Sequence, residues 1–500
     1  MKEDQQVYYT STRDSSLNVT ASKAILQGLS KDGGLFVPDH IPQLDKTMKE
    51  LSVMRYNEVA YEVMRLFLTD FSEEDLKRCI SSAYSKDNFD TDPIVPLVAA
   101  DNAYYIELFH GPTIAFKDMA LQLLPYLMTT AARMNDVSDE IVILTATSGD
   151  TGKAALAGFA DVKGTKIVVF YPKDGVSHVQ EKQMITQKGD NTCVVGIHGN
   201  FDDAQTGVKK LFGDRGLEEK MKNSGFRFSS ANSINIGRLV PQIVYYVYSY
   251  SQLLAEGRIK EGEKINVTVP TGNFGNILAA YFAKNMGVPI DRLICASNEN
   301  KVLFDFFRTG TYDRNRDFIL TTSPSMDILI SSNLERLIYM TADCSSERCA
   351  SLMRQLSENG RYDISDEMRS KMSDFYGGYA SEKECAETIK HIYSECGYVI
   401  DTHTSVAASV YNRYREETGD TKTTLIASTA SPYKFAGSVM CAIDPENKKL
   451  NDIQVIDMLS EKSGTKIPKA IKELISAPVR HKGECGKDGM KDKVMEFLKI

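Results

Sequence analysis

Apolar residues follow two rhythms along this chain. Between residues 55 and 69, RYNEVAYEVMRLFLT spaces them three and four positions apart, the period of one helix face. Residues 72–86 predict a second helix, opened by Ser72 with Asp75 in its first turn. The stretch KDGGLFVPDHIP (31–42) is punctuated by Gly and Pro and predicts a turn-rich segment. From about residue 95 the pattern changes to short, nearly continuous apolar runs. These are EIVILT (140–145), TKIVVFYP (165–172), NTCVVGI (191–197), KINVTVP (264–270), DRLICAS (291–297) and TTLIAS (423–428), with helical stretches between them. Strands alternating with helices predict βαβ units and a largely parallel sheet, and runs such as IVIL and IVVF fit a sheet covered on both faces. The segment 361–395 is strongly charged and predicts a solvated helical excursion. Beyond about residue 450 the chain turns Lys-rich, and a small helical appendix is expected.

Two strand–turn–helix junctions concentrate small residues. In ILTATSGDTGKAALAGFA (143–160) the turn carries Thr147, Ser148, Gly149, Asp150, Thr151 and Gly152. In VTVPTGNFGNILAAYFA (267–283) it carries Thr271, Gly272, Asn273, Gly275 and Asn276. Free N–H groups and the positive end of the helix dipole make such a junction an anion site, and glycine lets the backbone come close. One Gly-rich turn often does no more than let a helix pack on a sheet. Two in one sheet point to a ligand set with at least two anionic groups. Neither has the spacing of a dinucleotide or ATP loop, so NAD and ATP are not indicated.

Two further segments carry chemistry. In ELFHGPTIAFKDMALQLL (107–124) a strand leads through His110, Gly111 and Pro112 to a helix expected to start near Phe116, with Lys117 in its first turn. A helix N-terminus disfavours a cation, so the dipole would push Lys117 toward the free amine that Schiff-base chemistry needs. A single lysine is more often a solvated surface group. Here Ile114, Ala115, Phe116, Met119 and Ala120 surround it in sequence and argue against open surface. In TTLIASTASPYKF (423–435) a buried strand ends in Ser428, Thr429 and Ser431, hydroxyls at the carboxyl end of a parallel strand. Taken by itself, that segment reads as a simple cap for the next helix.

Composition narrows the classes. With 500 residues the chain has room for about three domains. Its formal charge of −8 argues against a nucleic-acid partner, which calls for a basic stripe. The nine cysteines run from Cys79 to Cys485 without a CxxC, and the seven histidines form no HExxH, so no metal site is expected. Reduced thiols fit a cytoplasmic location. The polar start MKEDQQVYYTSTRD lacks a signal-peptide core, and no run approaches the ~20 apolar residues of a membrane span, so no membrane partner is expected.

Taken together, these segments resemble the threonine synthases, pyridoxal-phosphate enzymes of fold type II with a tryptophan-synthase-β-like fold. YYTSTRD with ILQGLSKDGGLFVP (25–38) resembles the family's N-terminal region, and HGPTIAFKDMALQ its cofactor-lysine motif. ATSGDTGKAA, INIGRLVPQ (234–242), PTGNFGNILA, ASNENKVLFDFFRTG (296–310) and TTSPSMDI (321–328) match further blocks in order. Two departures stand out: Ser431 occupies a position where the family often has histidine, and Lys153 one where a small residue is common.

The resemblance implies an α/β fold, with two parallel-sheet α/β domains after an N-terminal mainly helical domain. The expected divisions are 1–92, a catalytic region 93–445 and a helical extension 446–500. It further implies pyridoxal 5'-phosphate as cofactor, carried on Lys117. Gly272, Asn273, Phe274, Gly275 and Asn276 would cradle the cofactor phosphate, and Thr429 would meet the pyridine nitrogen. Ser148, Asp150 and Thr151 would hold the substrate near its carboxylate, with Asp150 orienting the loop or the substrate amine. Lys153, Arg238, Asn300, Ser323 and Ser325 are candidates for the substrate phosphate, in no order. The implied reaction is γ-elimination of phosphate from the small molecule O-phosphohomoserine, then β-addition of water to give L-threonine. A phospholyase of the same fold that releases 2-oxobutyrate, or a non-catalytic ligand-binding relative, is the competing reading. Intact Lys117 with both anion loops argues against the latter. Oligomeric state stays open between monomer and homodimer.

Overall fold

The computed structural model describes residues 6–147, 149–176, 178–447 and 452–500. Two sheets organise it, and all six apolar runs become strands in one or the other. The first sheet has six strands in the order Phe375–Tyr379, Ile290–Ser297, Ile265–Pro270, Thr424–Ser428, Ala103–Glu107 and Leu97–Ala100. Its first five are mutually parallel, and only the edge pair of Leu97–Ala100 with Ala103–Glu107 is antiparallel. The second has five strands in the order Gly483–Gly486, Thr192–His198, Thr165–Pro172, Glu140–Ala146 and Phe226–Ser229, all parallel. In a parallel sheet every carboxyl end lies along one edge, and a ligand crevice opens there.

The helix Ile236–Ala255 is buried along almost its whole length. It is apolar on nearly every side and sits within the largest apolar cluster, as an all-round hydrophobic helix must. That cluster joins Val59, Val63 and Phe67 of the N-terminal region to Tyr245, Tyr246 and Tyr250 of this helix and to Val267 and Val269 of the first sheet. The N-terminal region contains the helices Tyr56–Phe67 and Glu73–Ala83, the second capped by Ser72, which accepts the Asp75 N–H. It also holds a three-stranded antiparallel sheet of Tyr9–Ser11, Asp14–Val19 and Phe36–Pro38. Arg13 grips Glu335 with a two-pronged contact at 2.8 and 2.7 Å, and Thr12 Oγ1 donates to the same carboxylate at 2.6 Å.

Two stretches differ from the sequence expectation. Within 361–395, residues Phe375–Tyr379 form the edge strand of the first sheet, while the helices Asp366–Lys371 and Glu382–Cys396 flank it. Two glycines in FYGGY hide the strand from a hydrophobicity pattern. The Phe307 Cβ and the Phe304 backbone lie so near Gly377 that a Cβ there would approach them to 3.0 and 3.3 Å. The tail is not wholly helical either. Gly483–Gly486 adds an edge strand to the second sheet, and Met490, Val494 and Leu498 enter a core with Ala204, Val208 and Leu211. Among the described residues no helix is long and apolar enough to cross a membrane.

Candidate functional site

Three adjacent strands of the first sheet deliver three loops to one place. Ala103–Glu107 leads to Lys117, its neighbour Thr424–Ser428 leads to Thr429, and the next, Ile265–Pro270, leads to residues 271–276. The first two loops are stitched together: the Phe116 N–H donates to the Thr429 carbonyl at 2.8 Å, and the Ser431 N–H to that of Ile114 at 3.0 Å. Ile114 is β-branched yet sits at φ +52°, and such strain persists only where the surroundings enforce it.

Lys117 is buried. It precedes a helix of only four residues, Asp118–Leu121, so the dipole argument from sequence is replaced by a stronger cause. Burial lowers its ammonium pKa; Asp150 opposes this, and Lys434 and Arg238 add to the lowering. Its Nζ donates to Ser325 Oγ at 3.0 Å and lies 3.4 Å from Asp150 Oδ2. Ser325 Oγ donates to the same Asp150 oxygen at 2.9 Å.

Asp150 comes from the other sheet. The strand Glu140–Ala146 turns through Gly149, at φ +146°, into the helix Asp150–Phe159. A Cβ on Gly149 would meet the Gln180 side chain at 2.4 Å, so glycine is required. Gln180 Nε2 donates to Asp150 Oδ1 at 3.1 Å, and Lys434 Nζ lies 3.1 Å from that oxygen. Burial works against the Asp150 charge, but the Lys434 and Lys117 ammonium groups, helped by the Gln180 hydrogen bond, outweigh it and hold the carboxyl well below its usual range. Next to Lys117 in the chain, burial raises Asp118 to about 6 even though the Thr113 N–H and hydroxyl both donate to it.

The loop 272–276 is tight against Ser325. A Cβ on Gly272 would lie 2.8 Å from the Ser325 carbonyl oxygen. Phe274 takes a left-handed φ of +66° at the start of the helix Gly275–Asn285. Asn276 Oδ1 accepts the hydroxyls of Tyr245, at 2.7 Å, and Tyr246, which fixes its amide orientation. Its Nδ2 is then left buried without a partner among the described residues. The Asn273 carbonyl accepts from the Asn333 N–H and from Asn333 Nδ2, both at 3.0 Å. Asn333 is in turn bound by the wholly buried Arg336, which also donates to the carbonyls of Phe36 and Ile234.

The remaining candidates divide. Thr151 is half-buried beside Asp150. The Thr429 N–H donates to Thr404 Oγ1 at 3.3 Å, and the Thr429 hydroxyl is unspent among the described residues. Arg238 is buried, donates to the Ala231 carbonyl, and keeps an unpartnered Nε; burial lowers it to about 10. Lys153 reaches Gln187 Oε1, and burial draws its ammonium down to about 8. Asn300 spends its amide on Ile319 and Asp327, and Ser323 bonds Asn298 and Thr321. Those two frame the loop that presents Ser325. Ser148 lies outside the described residues.

Three participants escaped the sequence reading. Lys434 and the Asp401–His403 pair are buried against Asp150 and Ser325. His403 Nδ1 bonds Asp401 Oδ2 at 2.8 Å while its Nε2 accepts the Ser325 N–H at 3.2 Å, so the ring is neutral with its proton on Nδ1. The available signal was a lysine and a histidine inside otherwise apolar or small-residue runs, SPYKFAG and DTHTSVAAS.

These residues fit a carbonyl cofactor that carries a phosphate. They offer a buried amine with its charge disfavoured, an orphaned amide donor at a helix start, a glycine that admits close backbone approach, and a free hydroxyl on the loop stitched to that of the amine. Known proteins agree. The family described as "Threonine synthase N terminus" matches residues 8–84, and "Pyridoxal-phosphate dependent enzyme" matches residues 96–429. Threonine synthase from Saccharomyces cerevisiae is 37% identical over 473 residues, 89% of this chain and 90% of that protein. Threonine synthase-like 1 from Homo sapiens is 40% identical over 444 residues, 86% of this chain; the chain spans 58% of that relative's length. The crystal structure of PLP-bound threonine synthase from Brucella melitensis superposes with a TM-score of 0.87 at 34% identity, covering 99% of this chain and 100% of that one.

Proposed function

The chain belongs to the threonine synthase family of pyridoxal-phosphate-dependent enzymes, and from that premise we propose that it converts O-phosphohomoserine and water into L-threonine and phosphate. The observation that carries this reading is the buried Lys117 amine, with Asp150, Ser325 and the 272–276 loop gathered around it. Lys117 would hold the cofactor, residues 272–276 its phosphate, and Thr429 its ring nitrogen. When bound, the cofactor supplies an electron sink that makes protons beside the reacting nitrogen removable.

The chain's residues do the rest. The free amine of Lys117 would remove and return a proton at the substrate Cα. Burial favours that free amine. Ser325 bridges Lys117 and Asp150 and is placed to pass a proton between them. Thr151 and the N–H groups that open the helix Asp150–Phe159 would fix the substrate carboxylate. Arg238, with its spare Nε, is the cation we assign to the substrate phosphate, joined by Lys153 if it turns from Gln187. Asn300 and Ser323 act on that phosphate only by framing the loop. The neutral Thr429 hydroxyl, unlike a carboxylate, does not drive protonation of the ring nitrogen. A cytoplasmic location completes the reading, supported by the unpaired cysteines.

Borohydride reduction of the protein loaded with pyridoxal phosphate, followed by peptide mapping, tests the assignment. The pyridoxyl group is expected on Lys117, and its recovery on another lysine would refute the site.

A further inference from the structure

Asp150 presents one oxygen to each of two lysines. Oδ2 lies 3.4 Å from Lys117 Nζ, and Oδ1 lies 3.1 Å from Lys434 Nζ. The Lys434 side chain has no solvent exposure at all, and its other partner is the Thr113 carbonyl at 3.0 Å. An ammonium is almost never buried so completely without a partner whose charge needs it. Lys117 alone would neutralise Asp150 while its amine is free and protonated. On the reading above, that amine is given to the cofactor for part of every turnover. A buried carboxylate that loses its counter-ion is strongly destabilised. Lys434 remains in place throughout, because its segment is tied to the Lys117 segment through the Phe116–Thr429 and Ser431–Ile114 bonds.

We propose that Lys434 is a positioning residue for the chemistry at Lys117: it holds Asp150 aimed at that amine while its cation offsets the carboxylate's charge, and so sets how tightly the nitrogen of Lys117 would hold a proton once the cofactor is bound. The charged and titratable groups facing this cluster come from every packed element. His403 and Arg238 stand near Asp150 and Lys117, and Asp118 and Lys153 near Lys434. His403 is neutral for the reason given above. The sign follows from charge. Removing the Lys434 cation makes the cluster more negative, so the nitrogen keeps its proton to higher pH. Removing the Asp150 anion does the reverse.

This inference rests on Lys117 carrying the cofactor, and the experiment separates the two claims. Purified protein is loaded with pyridoxal phosphate, and the visible absorption of the lysine-bound cofactor is titrated against pH. Lys434→Gln keeps the polar contacts without the charge and is expected to raise the midpoint by about one unit or more. Lys434→Arg restores the charge and is expected to return the midpoint toward wild type. An unchanged midpoint in loaded Lys434→Gln overturns this inference alone. Should that variant not fold, Asp150→Asn is compared with Asp150→Asn/Lys434→Met, which removes both buried charges. The double variant is expected to titrate about one unit above the single one, and equal midpoints overturn the inference. A wild-type protein that takes up no pyridoxal phosphate overturns the proposed function, and this inference with it.

Discussion

Lys117 and Asp150 belong to loops from different sheets, yet Lys117 Nζ lies 3.4 Å from Asp150 Oδ2, with Ser325 Oγ hydrogen-bonded to both. The crevice between the sheets is therefore closed by charge as well as by packing. Any change that moves one sheet's loops against the other acts on the amine directly.

Gly272 and Gly275 are not equivalent. A Cβ at 272 would press the Ser325 carbonyl at 2.8 Å, whereas at 275 the nearest atom is Asn333 Nδ2 at 3.4 Å. Forcing backbone aside costs about 1–3 kcal/mol, and here the displaced residue touches Lys117. Gly272→Ala is expected to weaken pyridoxal phosphate retention tenfold or more, measured by equilibrium dialysis, with Gly275→Ala near wild type. Equal retention in both would move the tight approach away from residue 272.

Thr151→Val tests the substrate loop. Losing one hydrogen bond to a charged group costs about 1.5–3 kcal/mol, roughly ten- to a hundredfold in turnover if it acts in the transition state. The variant is expected to keep the cofactor spectrum and lose threonine formation by about that factor, with some flux diverted to 2-oxobutyrate. Steady-state assay of phosphate, threonine and 2-oxo acid on one sample decides. Wild-type rates for all three would make the loop a structural turn.

His110 imparts a pH dependence to stability. Burial opposes its charge, but hydrogen bonds to Asp90 and Glu107 outweigh this and raise it from 6.5 to about 9. Its folded value lies above its unfolded one, so the stability it adds is complete below pH 6.5 and is lost as the pH climbs through about 9. His110→Gln is expected to lower stability to urea near pH 6 by on the order of 2 kcal/mol, the gap closing by about pH 10. A gap independent of pH would show that packing, not charge, is lost.

The tail is part of the second sheet's core. Removing residues 479–500 takes away the edge strand Gly483–Gly486 and the buried Met490, Val494 and Leu498. At about 1.5–3 kcal/mol for each large apolar side chain, the loss rivals a domain's whole stability. The truncated protein is expected to unfold at far lower urea or to be insoluble. A truncation with an unchanged urea midpoint would make the tail an appendage.

Much of this was legible in sequence because parallel strands announce themselves. IVIL and IVVF are apolar on both faces, and the runs IVIL, INVTVP and TTLIAS carry conspicuous Thr, Ser, Gly and Asn residues at their carboxyl ends. The 272–276 loop stood out for that reason, and Lys117 for its place at a helix start among apolar neighbours. FYGGY and GECG were missed because their place in a sheet is set by tertiary pairing and close backbone approach, not by side-chain pattern. Lys434 and His403 were missed because burial creates their importance. Nothing local distinguishes a lysine that ends up facing Asp150 from one that ends up in water. Asn300 shows the converse, a polar residue in a matching motif that spends its amide on the loop beside it.

The proposed chemistry centres on Lys117. The most direct measurement is incubation of the purified, pyridoxal-phosphate-loaded protein with O-phosphohomoserine, with phosphate, threonine and 2-oxobutyrate quantified together. Threonine and phosphate in equal amounts, both abolished in Lys117→Ala, are predicted. Phosphate released with 2-oxobutyrate in place of threonine, or release that survives Lys117→Ala, would contradict it.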